Sequence, residues 1–146
     1  MQDGSGKNIY FFFNGVTLTL QNRKELKRFL ISIFSSENVE LSSVSYIFST
    51  DKTLYNINKR FLNHEFFTDI ITFPLSTKKD ATVADVYISV DRVRENARLQ
   101  NEPFQRELHR VIFHGALHLC GYKDKSRREI NKMRERENYY LSRYFG

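Results

Sequence analysis

Apolar residues recur along this chain with two different periods, and the switches between them mark out its elements. Residues 9–13 (Ile-Tyr-Phe-Phe-Phe) and 16–20 (Val-Thr-Leu-Thr-Leu) read as short strands flanking a turn at Asn14-Gly15. Leu26, Phe29, Leu30, Ile33 and Phe34 then follow the i, i+3, i+4, i+7, i+8 spacing of an amphipathic helix, with Asn22 as its N-cap. Val44 to Thr50 reads as a strand. Asp51 caps a helix over 52–62 that turns Leu54, Ile57, Phe61 and Leu62 inward. Ile70 to Phe73 is a short buried strand stopped by Pro74, and 76–81 is a polar loop. Val83 to Val90 alternates around Val86, Ile88 and Val90 as another strand, Asp91 starts a helix to about Leu99, and Asn101-Glu-Pro-Phe breaks it.

A further helix starts near Pro103 and runs through Arg110-Val-Ile-Phe-His-Gly-Ala-Leu-His-Leu-Cys, which is apolar almost all the way round its wheel and so is expected to be buried on every side. Gly121 ends it. Ser126 and Glu129 have the Ser-x-x-Glu spacing of a capping box, opening a last helix through about Tyr140. Strands and helices mix without strict alternation, which predicts an α+β fold with one small mixed β-sheet covered by helices. With 146 residues and no internal repeat or linker, the chain reads as a single domain over 1–146, its first seven residues disordered.

Chemistry concentrates at the end of the apolar helix. His114 and His118 are one turn apart on one face, and buried imidazoles need partners that a shared metal ion supplies. A reversal at Gly121 brings Asp124 back towards them. His114, His118 and Asp124 thus form an N, N, O ligand set with a coordination position left for water or substrate, the pattern of a catalytic zinc site at the C-terminal end of a buried helix. The spacing matches the metzincin protease motif, but Gly115 stands where the protease has its general-base glutamate. For His-x3-His alone, a chance pair of core histidines would be the simpler explanation. Gly121, Asp124 and the wholly apolar helix weigh against it.

Composition changes the picture modestly. Twenty-three basic residues against 17 acidic ones give +6, which suits a polyanion such as RNA. Between Lys123 and Arg143 there are eight basic residues, and the chain forces Lys123, Lys125, Arg127 and Arg128 to lie beside the metal site, making them the candidate RNA contacts. From Lys132 onward an ordinary solvated helix face explains the charges equally well. His109 is read as a partly exposed structural residue, and His64 as an outside candidate for proton transfer, with a structural role the plainer reading. The single cysteine, Cys120, is read as a small buried filler, and its isolation fits a reducing cytoplasm. No apolar run approaches the roughly 20 residues of a membrane span, and the first residues have no apolar signal core.

The motif His114-Gly-Ala-Leu-His-Leu-Cys-Gly-Tyr-Lys-Asp124 resembles the hallmark of the YbeY family, His-Gly-x-Leu-His-Leu-x-Gly-Tyr-Asp-His. Asn58-x-x-Phe61, then Phe67-Thr68-Asp69-Ile-Ile-Thr-Phe73-Pro74, Ala84-Asp85-Val86, Glu107 and Met133 resemble further family blocks. The resemblance implies a metal-dependent, single-strand-specific endoribonuclease of ribosomal RNA maturation. It implies catalysis at His114 and His118 and one divalent ion, foremost Zn²⁺. Ribosomal RNA precursors and ribosomal particles are the implied partners, for a cytoplasmic monomer. Asp69 and Asp85 become candidates to support the ligands from behind. Two positions depart from the pattern: Asp124 replaces the usual third histidine, and Leu62 replaces the arginine that follows the first block. A carboxylate ligand lowers a zinc site's net charge from about +2 to about +1, making bound water less acidic and widening metal choice towards Mn²⁺ or Mg²⁺. The alternatives are a metalloprotease-like hydrolase on the same ligands and a non-catalytic ribosome-associated module.

Overall fold

The computed structural model describes residues 6–63 and 68–146. The expectations for His64, for Phe67 and for the first five residues fall outside them. The elements are β1 (Asn8–Phe13), α1 (Arg23–Ser36), β2 (Leu41–Ser49), α2 (Asp51–Phe61), β3 (Ile70–Pro74), β4 (Thr82–Ser89), α3 (Val90–Leu99), α4 (Phe104–Leu119) and α5 (Arg127–Phe145). The four strands form one sheet in the order β1-β2-β4-β3, with β1, β2 and β4 parallel and β3 antiparallel on its edge. This is the expected α+β architecture with a small mixed sheet.

Register decides which side is core. Ile9 pairs with Val44, and Val44 with Ala84; two residues on, Phe11, Tyr46 and Val86 share a row. That face packs on α1 through Leu26, Leu30 and Ile33, and on α4 through Leu108, Ile112, Phe113 and Ala116. The buried Tyr46 hydroxyl donates to the Ile112 carbonyl at 2.9 Å, so its one polar atom is satisfied inside the core. The opposite face, with Ser43, Ser45 and Ile47 on β2 and Val83, Asp85 and Tyr87 on β4, is only half-buried. Edge strand β3 lies beside α4, which brings its first residues to the histidines.

Several local expectations need correction. The segment 16–20 is not a strand: it forms no ladder with the outer edge of β1, whose partner is β2. It runs as extended chain into α1, with Leu20 buried and Val16 and Leu18 against the core. Its outward carbonyls are taken by other elements: Arg94 donates to Thr17 at 3.3 Å and Gln105 to Thr19 at 3.1 Å. Asn22 precedes α1 in a left-handed conformation (φ 52°) and its side chain caps nothing. Thr50 and Ser89, not Asp51 and Asp91, cap α2 and α3. The aspartates instead tie the two helix starts together. Asp51 accepts from the Ser89 hydroxyl at 2.9 Å and from Arg92 at 2.7 Å, while Asp91 accepts the Asp51 N–H at 2.8 Å. On α2, Phe61 and Leu62 are 66% and 40% exposed, and Asn58 takes the buried position. The Ser126–Glu129 capping box forms as expected, and α5 continues to Phe145 because Tyr140, Leu141 and Tyr144 prolong its inward stripe.

Candidate active site

Between Glu107 and Leu117, α4 is buried except at His114, and His118 is exposed. The helix is therefore not enclosed on every side: its histidine stripe opens onto a hollow. The two rings lie almost parallel, 6° apart with centroids separated by 6.4 Å, as i, i+4 spacing requires. Gly121 ends the helix with φ +105°, a conformation that penalises any side chain. Its N–H donates to the His118 carbonyl at 3.0 Å and the Tyr122 N–H to the Leu117 carbonyl at 3.1 Å, the paired bonds of a Schellman motif. The reversal carries Asp124 back over α4, where its Oδ2 stands 3.3 Å from His114 Nε2.

What holds the rings decides what they can bind. His114 Nδ1 lies 2.7 Å from Glu137 Oε2, and His118 Nδ1 lies 3.0 Å from the Tyr122 carbonyl. Carboxylate and carbonyl oxygens only accept, so each Nδ1 carries the proton and each Nε2 presents a lone pair. On His114 that lone pair faces a carboxylate oxygen. Two acceptors that close need a cation between them, either a proton on the ring or a metal ion. Burial works against charge on His114, but the hydrogen bond and charge of Glu137, with Asp124 and Asp69 adding, raise its affinity for a proton above that of an ordinary histidine. A metal fits the same gap, since two ligands each about 2.1 Å from a tetrahedral ion stand about 3.4 Å apart. His118 lines the same hollow without closing the triangle. Among the described residues no three His, Cys, Asp or Glu side chains converge into a finished metal cage. The donor chemistry fits a divalent ion on the His114–Asp124 edge, with His118 on the same wall.

The histidine hollow has a volume of about 330 Å³ and its other walls are Asn58 and Leu62 of α2 and residues 70–72 of β3. Leu62 thus puts an apolar side chain on the wall of the hollow that the histidines line. A second hollow of about 320 Å³ adjoins it, sharing His114, Asp124, Thr68 and Ile70. Asp69 lines this second hollow, and burial raises its carboxyl above the usual range despite the opposing pull of His114. Asp85 lies on the half-buried sheet face and lines neither hollow. Lys123, Lys125, Arg127 and Arg128 are exposed. Arg127 and Arg128 line a separate surface depression with Asn131, Lys132 and Glu135, which shares no residue with the two hollows. His109 is structural but only 3% exposed, its Nδ1 donating to the Gln105 carbonyl at 2.6 Å. Cys120 is half-buried, and burial pushes its thiol up to about 12, leaving it an inert filler.

Sequence reasoning missed Glu137. This residue lies in the stretch read as a solvated helix face, yet its side chain is buried, holding His114 while lying 3.4 Å from Arg110 and 3.6 Å from Arg134. The signal was there in outline: Met133, Glu137, Tyr140 and Leu141 share the inward stripe of α5, and a carboxylate in such a stripe asks for a reason. Gly115 also has a structural reason. A Cβ there would lie 3.1 Å from both Ile70 Cδ1 and Val86 Cγ1, so glycine lets α4 approach the sheet. The position that would carry a peptidase's glutamate faces packed side chains.

The family described as Endoribonuclease YbeY matches residues 14–145. An endoribonuclease YbeY from Cytophaga hutchinsonii is 42% identical over 136 residues, covering 93% of this chain and 95% of the relative. One from Porphyromonas gingivalis is 40% identical over 133 residues, covering 91% and 87%. The solution structure of a Thermotoga maritima protein is similar at TM-score 0.62 and 26% identity, over 94% of this chain and 89% of that one.

Proposed function

Because this chain belongs to the YbeY endoribonuclease family, we propose that it hydrolyses single-stranded RNA at a metal site formed by His114, His118 and Asp124. Its natural substrates are ribosomal RNA precursors, met on ribosomal particles in the cytoplasm, and it works as a monomer with one divalent ion, zinc foremost. The observation that carries the reading is the His114–Asp124 pair: a lone pair and a carboxylate oxygen 3.3 Å apart, with Nδ1 already engaged by Glu137. When bound, the ion would polarise a phosphoryl oxygen and lower the pKa of a bound water towards neutrality. Glu137 and the Tyr122 carbonyl fix the tautomer and aim of the two rings. Lys123 and Lys125 flank Asp124 in the chain and offset phosphate charge beside it, with Arg127 and Arg128 extending the basic surface for the rest of the strand. Leu62, Ile70 and Ile71 keep part of the wall dry.

No helix among the described residues is long and apolar enough to cross a membrane. The peptidase alternative loses its base at Gly115 and has no room to regain it there. The test is a cleavage assay on single-stranded RNA with wild type, His114→Ala, and wild type after chelation. Wild type alone is expected to cut. Equal cleavage by all three would refute the reading, and chelator-sensitive breakdown of casein without RNA cleavage would favour the peptidase.

A further inference from the structure

The second hollow, between the start of β3, α4 and α5, has a charge that a phosphate site would not have. Among the described residues, four carboxylates line it (Asp69, Glu107, Asp124 and Glu137) against two guanidiniums and the His114 ring. Both guanidiniums are already committed. Arg110 donates to Asn138 at 2.7 Å and lies 3.4 Å from Glu137 and 3.5 Å from Glu107, while Arg134 lies 3.6 Å from Glu137. Phosphate oxygens brought here would meet acceptors and a net negative field.

Among the described residues, the donors that line the hollow are already engaged. Glu107 is 4% exposed, and its Oε1 makes no hydrogen bond, only the 3.5 Å ion pair with Arg110. Among the described residues, Asp69 accepts one long side-chain bond, 3.4 Å from Asn96, besides the bond from its own backbone N–H. A buried Glu107 and a half-buried Asp69 keep acceptor capacity that a ligand bringing N–H groups would use. Apolar contact is also present: Val111 and Met133 line the hollow, and Ile130, 49% exposed, stands at its rim. The ligand that matches is neutral, flat and apolar on its faces, with N–H donors along one edge.

We propose that this hollow is a subsite for an unpaired guanine next to the phosphodiester being cut, a reading that rests on the ribonuclease function above. A nucleobase splayed from a single strand is recognised by stacking and by its edges. Among the four bases, guanine alone has two adjacent donors, N1–H and the N2 amine, on its Watson–Crick edge, and one carboxylate accepts both. Asp69 is that carboxylate, with Ile130 and Met133 against the ring. The phosphate then lies across the shared wall, at His114 and Asp124.

The experiment compares kcat/KM on single-stranded oligonucleotides that carry guanosine, inosine or adenosine at one position in an otherwise constant strand. Inosine removes only the N2 amine. Wild type should prefer guanosine over adenosine by about tenfold or more, as a bidentate base contact gives, with inosine between them. Asp69→Asn and, separately, Ile130→Trp at the exposed rim should bring that ratio down towards one. Ile130→Trp keeps the test available if Asp69→Asn fails to fold. Equal wild-type rates on all three strands, or a ratio unmoved in both folded variants, would overturn the subsite while leaving the nuclease standing. Absence of cleavage on every strand would overturn the nuclease reading itself.

Discussion

Replacing Glu137 by glutamine isolates the contribution of one buried charge to the metal site. The carboxylate accepts the His114 Nδ1 proton at 2.7 Å, deep enough that water cannot take its place. Hydrogen bonds to charged groups contribute about 1.5–3 kcal/mol and neutral ones about 0.5–1.5 kcal/mol. Glutamine keeps an acceptor of nearly the same shape but not the charge, so about 1–1.5 kcal/mol should disappear from ligand basicity and ring orientation. At about 1.4 kcal/mol per tenfold, this weakens divalent-ion affinity by about 5–12-fold, around the lower limit of the roughly 10–100-fold typical for partners of metal-binding histidines. Glu137→Ala is the poorer probe, because it also strips an acid from the buried Arg110, and breaking a buried pair costs roughly 3–5 kcal/mol by itself. Zn²⁺ affinity is measured by competition with a chromophoric chelator, and a thermal melt checks the fold. If Glu137→Gln binds Zn²⁺ as tightly as wild type, within a factor of about two, the argument that Glu137 sets the His114 tautomer is wrong.

Other perturbations test the frame around the site. Gly115→Ala places a methyl 3.1 Å from Val86 Cγ1, which is stiff and buried, and from Ile70 Cδ1. Overpacking at about 1–3 kcal/mol should outweigh the roughly 1 kcal/mol gained in helix propensity, so the melting temperature should fall; a rise would refute the close-approach account. Glu37, at the end of α1, is partly buried, but hydrogen bonds from Tyr140, Arg136 and Tyr122 overcome that and hold its carboxyl below the usual range. A depressed carboxyl contributes stability that is full above its unfolded value and lost as pH falls through the folded one. Glu37→Gln should therefore flatten the acid side of the stability profile, and an unchanged profile would show that the clamp is idle. In metal-free protein, His114 has the opposite sign. Its raised affinity for a proton stabilises fully below the unfolded value near 6.5 and is lost as pH rises through the folded value, so chemical denaturation should show stability falling through that window, an effect absent in His114→Gln.

Much of the fold was legible because its cues are local. The i, i+4 placement of His114 and His118, the left-handed Gly121 and the Ser126–Glu129 box each depend on neighbours within one or two helical turns, and all three formed as read. Where a cue had two local outcomes, the reading failed. Val16, Leu18 and Leu20 alternate like a strand, but alternation reports only that one side is buried, and here the segment packs on the core without pairing to β1. Phe61 and Leu62 satisfied the helical period of α2, yet the sheet offered nothing for them to cover.

By itself the sequence determined the α+β class, the two imidazoles on one helix face and the turn that returns Asp124, because these follow from backbone geometry and spacing along a single segment. Only the tertiary structure decided that Glu137 holds His114, that Asp69 and Glu107 share a hollow beside it, and that Arg127 and Arg128 lie apart from it. The first two relations join groups 23 or more residues apart. They depend on how α4, α5 and β3 pack, which no local preference encodes.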